Sequence, residues 1–236
     1  MLQFFKTHPR IVIALELAVI LAILQLVRFV FDQISWRYAG PVTLVMILVP
    51  IVFFMRLRGI SLGKIGLAKI TWPKGVLLFL PQVLLAFIAI GFAGVGVALV
   101  GETLNIGIFS AEQPDPEIRW GQLYGNTPLY LSWLAILWIA GPAEELFFRG
   151  YLISRLTEIF GNGTFRAVLS VILPALIFGL GHVYYQGWRG LFVTGAIGLV
   201  LGTLFLVYRK NVWPLMVAHA AFNSMIFTGL YLGADF

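Results

Sequence analysis

Long unbroken apolar runs, several of about 18 residues or more, leave this chain few folds to choose from. A run of that length crosses the hydrocarbon core of a bilayer as one helix. Backbone in lipid must satisfy its own hydrogen bonds, which restricts spanning structures to helices and closed barrels. A barrel would show alternating segments of about 10 residues, whereas the runs here are continuous. The expectation is therefore an all-α, polytopic helical membrane protein with about seven transmembrane helices and up to eight helices in total. The spans fall at about 11–31, 40–55, 76–100, 129–151, 167–183, 190–208 and 212–232. Composition agrees: 60% of the 236 residues are hydrophobic and 11% charged, against about 25% charged in soluble domains. No linker or repeat divides the chain, so residues 1–236 read as one transmembrane domain.

Basic residues orient the bundle. Lys6 and Arg10 precede the first span, five bases and no acid lie between Arg56 and Lys74, Arg155 and Arg166 flank the Gly161–Gly163 turn, and Arg209 and Lys210 end the sixth span. With seven spans all four groups fall on one face, which the positive-inside rule places in the cytoplasm together with the N-terminus. The other face carries Arg37, Arg189 and a connection with Glu102, Glu112, Asp115, Glu117 and Arg119. The net charge of +6 then belongs to cytoplasmic loops and anionic lipid rather than to nucleic acid. The first run is too long for a cleaved signal peptide and is expected to stay as a span. Residues 56–75, with Ile60, Leu62, Ile65, Leu67 and Ile70 between lysines, read as an amphipathic surface piece. Residues 101–128, with Pro114, Pro116 and Pro128, read as a solvated connector.

The chain has no cysteine, which removes disulfides, thiolate metal sites and a cysteine nucleophile. The polar residues inside the spans are the informative ones. The fourth run holds Glu144, Glu145 and Arg149, and a charge at bilayer depth costs roughly 2.5–3.5 kcal/mol on insertion scales, which makes it a functional candidate by default. Glu145 and Arg149 are four residues apart and stack on one helix face; Glu144 is rotated by about 100° and lacks that partner. Of the three histidines, His8 is near the N-terminus and reads as solvated. His182 closes Phe178-Gly-Leu-Gly-His182, and His219 opens His219-Ala-Ala-Phe-Asn223. At about 1.5 Å per residue, Glu144 and His182 both lie about 25–30 Å from the turn at Gly161–Gly163, and His219 lies roughly 13 Å past Lys210. All of them can meet in the cytoplasmic half of the membrane, with the polar stretch Tyr184–Arg189 beside them.

A carboxylate and a histidine can hold and deprotonate a water, and a second histidine with an amide can stabilise an oxyanion. That set suits peptide-bond hydrolysis. The same residues, Glu144, His182 and His219, could instead bind zinc with water in the open position.

Glu-Glu-x-x-x-Arg at Glu144, Glu145 and Arg149, Phe-x-x-x-His at Phe178 and His182, and His-x-x-x-Asn at His219 and Asn223 occur in this order on successive motif-bearing helices. The pattern resembles the CPBP intramembrane proteases, also called the Abi family, which include the CAAX prenyl endopeptidases and bacteriocin-processing or self-immunity proteins. The resemblance covers roughly residues 128–232, the expected catalytic core. It implies an intramembrane endopeptidase in which Glu144 and His182 activate water while His219 and Asn223 hold the oxyanion, with Glu145 and Arg149 as an orienting pair. The favoured mechanism requires no cofactor; zinc is the alternative. The implied partners are a membrane-associated peptide or protein and the bilayer. The compact basic chain without cysteine suits a prokaryotic plasma membrane, and the depth of the motifs places the opening of the site on the cytoplasmic side.

Other readings compete. A proton-coupled transporter could use Glu144, Glu145 and Arg149 as a relay, but such carriers are usually built from internal repeats. A non-catalytic membrane scaffold is the third reading. Glu16 and Arg28 lie in the first span without a motif, and Glu16 is expected to pair with a neighbouring helix or to sit near the water boundary. Trp133, Trp138, Phe147 and Phe148 read as packing or lipid contacts, and Gly195, Gly198 and Gly202 as close helix packing. Gly179 and Gly181 suit either packing or substrate approach to His182.

Overall fold

The computed structural model describes residues 9–67, 70, 73–111 and 115–234. Lys6, His8, Glu112 and Pro114, named above, and Lys69, one of the five bases between Arg56 and Lys74, lie outside the described residues. Within them the protein is helical, with no strand, as the continuous apolar runs require. The long helices are α1 (Pro9–Leu57), α2 (Lys74–Thr103), α5 (Thr127–Glu145), α7 (Thr164–Val207) and α8 (Trp213–Leu232). Short helices α3 (Gly107–Ser110) and α4 (Pro116–Trp120) lie in the connection before α5. A π-helical segment, Leu146–Ile153, continues α5 into α6 (Ser154–Phe160).

Among the described residues, five helical stretches are long and apolar enough to cross a membrane, α5 through α6 counting as one. Two of them are broken by a single residue. Ser35 leaves helical geometry in α1 (φ −160°, ψ 88°), and Gly187 does so in α7 (φ 59°, ψ −168°), a left-handed backbone that glycine adopts without a Cβ clash. The breaks fall between the first and second and between the fifth and sixth of the seven expected runs, while the stretches long and apolar enough to cross number five among the described residues. Their outer faces carry Val49, Leu77, Phe92 and Trp188, all exposed and apolar, as a bilayer solvent demands.

The main core gathers Ile47, Ile51, Phe147, Phe205, Leu215 and Ala218. A smaller aromatic cluster of Leu123, Trp133, Leu137 and Phe227 fills the other end. Two connections depart from their expected roles. In the basic segment a short 3-10 turn, Leu62–Ile65, docks into the bundle: Ile65 joins the core and the Gly66 carbonyl accepts from the Val212 amide at 3.2 Å. The 101–128 connector is more than a solvated link. Arg119 is only 5% and Leu123 only 4% exposed, because α4 dips onto the aromatic cluster, where the Trp133 indole N–H donates to the Trp120 carbonyl at 2.9 Å.

Candidate active site

Close approach of α5 and α8 sets the site. At Gly141 a side chain would meet the Ala220 backbone nitrogen and Cα at 3.3 and 3.4 Å, so the small residue lets the two helices run nearly in backbone contact. One turn further on, Glu144 and Glu145 face His219. Pro142 lies just before them and the π-helical segment just after. Proline removes one i→i−4 bond, and π segments are rare features that cluster at functional sites.

Glu145 is fully buried and Arg149 1% exposed. The Arg149 Nη1 donates to Glu145 Oε1 at 2.8 Å, the pairing that the spacing of four predicts. The same Oε1 meets His219 Nδ1, also at 2.8 Å. This second contact joins residues 74 apart in sequence and is invisible to helix periodicity. Glu145 thus binds α5 to α8 as well as neutralising Arg149. Its Oε2 and the Arg149 Nη2 have no hydrogen-bond partner among the described residues.

Glu144 is part-exposed and makes no bond to Arg149. Its Oε2 stands 3.7 Å from His219 Nε2, so both acids address opposite nitrogens of one imidazole. His182 Nδ1 lies 2.8 Å from the Phe178 carbonyl. Only a protonated Nδ1 can donate there, which leaves Nε2 of a neutral ring as an acceptor. The Phe178 ring is the hub: His182 packs against it with the rings tilted and their centroids 4.5 Å apart, His219 meets it edge-on at 6.3 Å, and the Arg149 guanidinium lies over it at 4.6 Å. Asn223 follows His219 by one turn of α8 and is half-buried. Glu144, Glu145, Arg149, His182 and His219 are thereby drawn together.

Glu144 Oε2 and His219 Nε2 are near enough to share an ion. Among the described residues, however, no third His, Cys, Asp or Glu joins them at ligand spacing. As placed, the set does not fit a three-ligand zinc site.

Three features escape the sequence motifs. Tyr185, in the stretch before Gly187, packs on His182 at 5.4 Å and receives the Arg119 guanidinium on its ring at 4.7 Å. Arg119 has only its place beside Trp120 to mark it in the sequence. Glu16 accepts from the Tyr151 hydroxyl at 2.7 Å, pairs with Arg155 Nε at 3.3 Å and with Arg58. This network ties α1 to the π-helical segment, in line with the expected pairing of Glu16 to a neighbouring helix. Gly179 faces the Leu191 carbonyl and Gly195 across α7, whereas Gly181 opens into free space.

Residues 126–225 match the family model described as type II CAAX prenyl endopeptidase Rce1-like, a stretch that contains all three motifs. No curated protein and no solved structure matches the chain. Over residues 126–225 this all-α membrane protein is thus similar to the Rce1-like type II CAAX prenyl endopeptidases, the grouping its motifs resemble.

Proposed function

We propose that this chain is an intramembrane endopeptidase that cleaves a membrane-associated peptide or protein near its C-terminus, with the catalytic core in about residues 128–232. Glu144 is the base. It takes a proton from a water that also hydrogen-bonds to the free Nε2 of His182, the hydroxide attacks the peptide carbonyl, and Glu144 returns the proton to the amide nitrogen as the C–N bond breaks and the amine leaves. His219, protonated, and the Asn223 amide donate to the developing oxyanion. With a protonated His219 the formal charges of Glu144, Glu145, Arg149 and His219 balance, which suits a site removed from bulk water. Glu145 and Arg149 position His219 and do not touch substrate. The mechanism we propose uses no metal.

The observation that carries the reading is the fully buried Glu145, which holds His219 at 2.8 Å while the neighbouring carboxylate stays part-exposed and unpaired with Arg149. A purely structural ion pair needs neither the histidine nor the second acid. The family match supports the same reaction class. The substrate named by that family, a prenylated Cys-aliphatic-aliphatic-X tail, is the first to test. We further propose seven membrane crossings, a cytoplasmic N-terminus and a site that opens to the basic, cytoplasmic face, from the distribution of lysine and arginine.

Comparative membrane proteomics of cells with wild-type protein or Glu144→Gln tests the reaction class. Uncleaved precursors are expected to accumulate in the variant. An unchanged proteome with altered ion flux would replace the protease with a transporter.

A further inference from the structure

Arg119 is 5% exposed, and no carboxylate among the described residues forms an ion pair with it. The acid whose charge reaches Arg119 is Asp32, and that carboxylate is already bound to Arg28 at 2.9 Å. Nη1 donates to the Trp36 carbonyl at 2.8 Å, and Nε has no acceptor. The rings of Trp36, Trp120 and Tyr185 surround the guanidinium at 4.9, 5.1 and 4.7 Å. Stacking of this kind covers the faces of the cation and leaves its edge, where a planar oxyanion binds, as the group still to be matched. A buried charge without a counterion is costly, and burial lowers the Arg119 pKa from its ordinary value without discharging it.

The location gives this unmatched edge a use. Tyr185 carries Arg119 on its ring and packs on His182, in steps of 4.7 and 5.4 Å. At most about 10 Å therefore separates the guanidinium from the catalytic imidazole. An extended peptide covers that distance in about three residues, at 3.3–3.6 Å each.

We propose that Arg119 is a carboxylate-binding subsite, which receives the free C-terminal carboxylate of the peptide and so sets the distance from the chain end to the cleaved bond. The proposal rests on the endopeptidase reading, in which the substrate is cleaved near its C-terminus, and adds to it the residue that reads the chain end. The α4 helix acts as a measuring stop: it brings a cation from the far connection down onto the Tyr185 ring, beyond the reacting groups.

The test uses full-length protein in liposomes and a prenylated peptide ending in either a carboxylate or an amide. Wild-type protein is expected to cleave the acid at least tenfold faster in kcat/KM, the scale of one charge-assisted hydrogen bond. In Arg119→Gln the acid-to-amide ratio falls toward one, and in Arg119→Lys it falls part-way, because an ammonium lacks the paired donors of a guanidinium. An unchanged ratio in either variant, or equal cleavage of the two peptides by wild type, overturns the proposal. Binding of the same peptides to Glu144→Gln protein separates this claim from the reaction itself. Tighter binding of the acid, lost on adding Arg119→Gln, supports the subsite even where nothing is cleaved; equal binding removes it.

Discussion

Glu145 is the residue on which the site depends. It is a carboxylate with no exposed surface, held by one guanidinium and one imidazole on a single oxygen. Its removal leaves Arg149 as a buried charge without a partner, a defect of about 3–5 kcal/mol. Glu145→Leu is expected to lower unfolding stability in detergent by that amount. Glu145→Leu with Arg149→Met should restore most of the stability and none of the cleavage, because His219 stays unanchored. A double variant as unstable as the single one would show that the pair is no closed unit. The local half of this arrangement was readable from a spacing of four. The His219 half was not, since only folding brings residues 74 apart into register. Nor was Arg119, which one arginine in a polar connection does not announce.

At the scale of elements, glycines report which helix contacts are tight. A methyl at Gly150 would stand 2.5 Å from the Ile65 carbonyl oxygen, and one at Gly179 would stand 2.5 Å from that of Leu191. Both neighbours are backbone and cannot turn aside. Gly150→Ala and Gly179→Ala are each expected to cost about 1–3 kcal/mol, read as loss of thermal stability, whereas Gly181→Ala, with nothing within 4 Å, should leave stability unchanged. Equal loss at all three would contradict the packing described. The helices themselves were evident from apolar run length, since run length is what a bilayer selects. The π-helical segment at Leu146–Ile153 was hidden, because a change from i→i+4 to i→i+5 bonding leaves no mark in a run that is apolar on every side. The entry of α4 into the bundle was hidden for a related reason: proline and acidic residues mark a connection, and tertiary packing decides whether it lies outside or dips in.

The whole molecule joins two opposed demands. Its outer surface is apolar for lipid, while its interior carries Glu16, Arg155, Glu145 and Arg149, each buried or nearly so and each paired. Such charges persist in a bilayer when they face one another. The bases near both ends of α1, at the tip of the α6–α7 turn and between α7 and α8 give the proposed orientation, so reporter tags at the N-terminus and after Phe236 should report cytoplasm and exterior, respectively. Tags on one side would remove one crossing and, with it, the proposed opening of the site. The central claim, that Glu144 is the base of a hydrolytic site supported by Glu145 and His219, is tested most directly by kcat for a prenylated peptide cleaved by purified protein in liposomes. Glu144→Gln keeps the shape of the side chain and removes its basicity. The account predicts a folded variant whose kcat is lower by at least about 10²-fold, the lower bound for loss of a general base. A variant that turns over at the wild-type rate would contradict it.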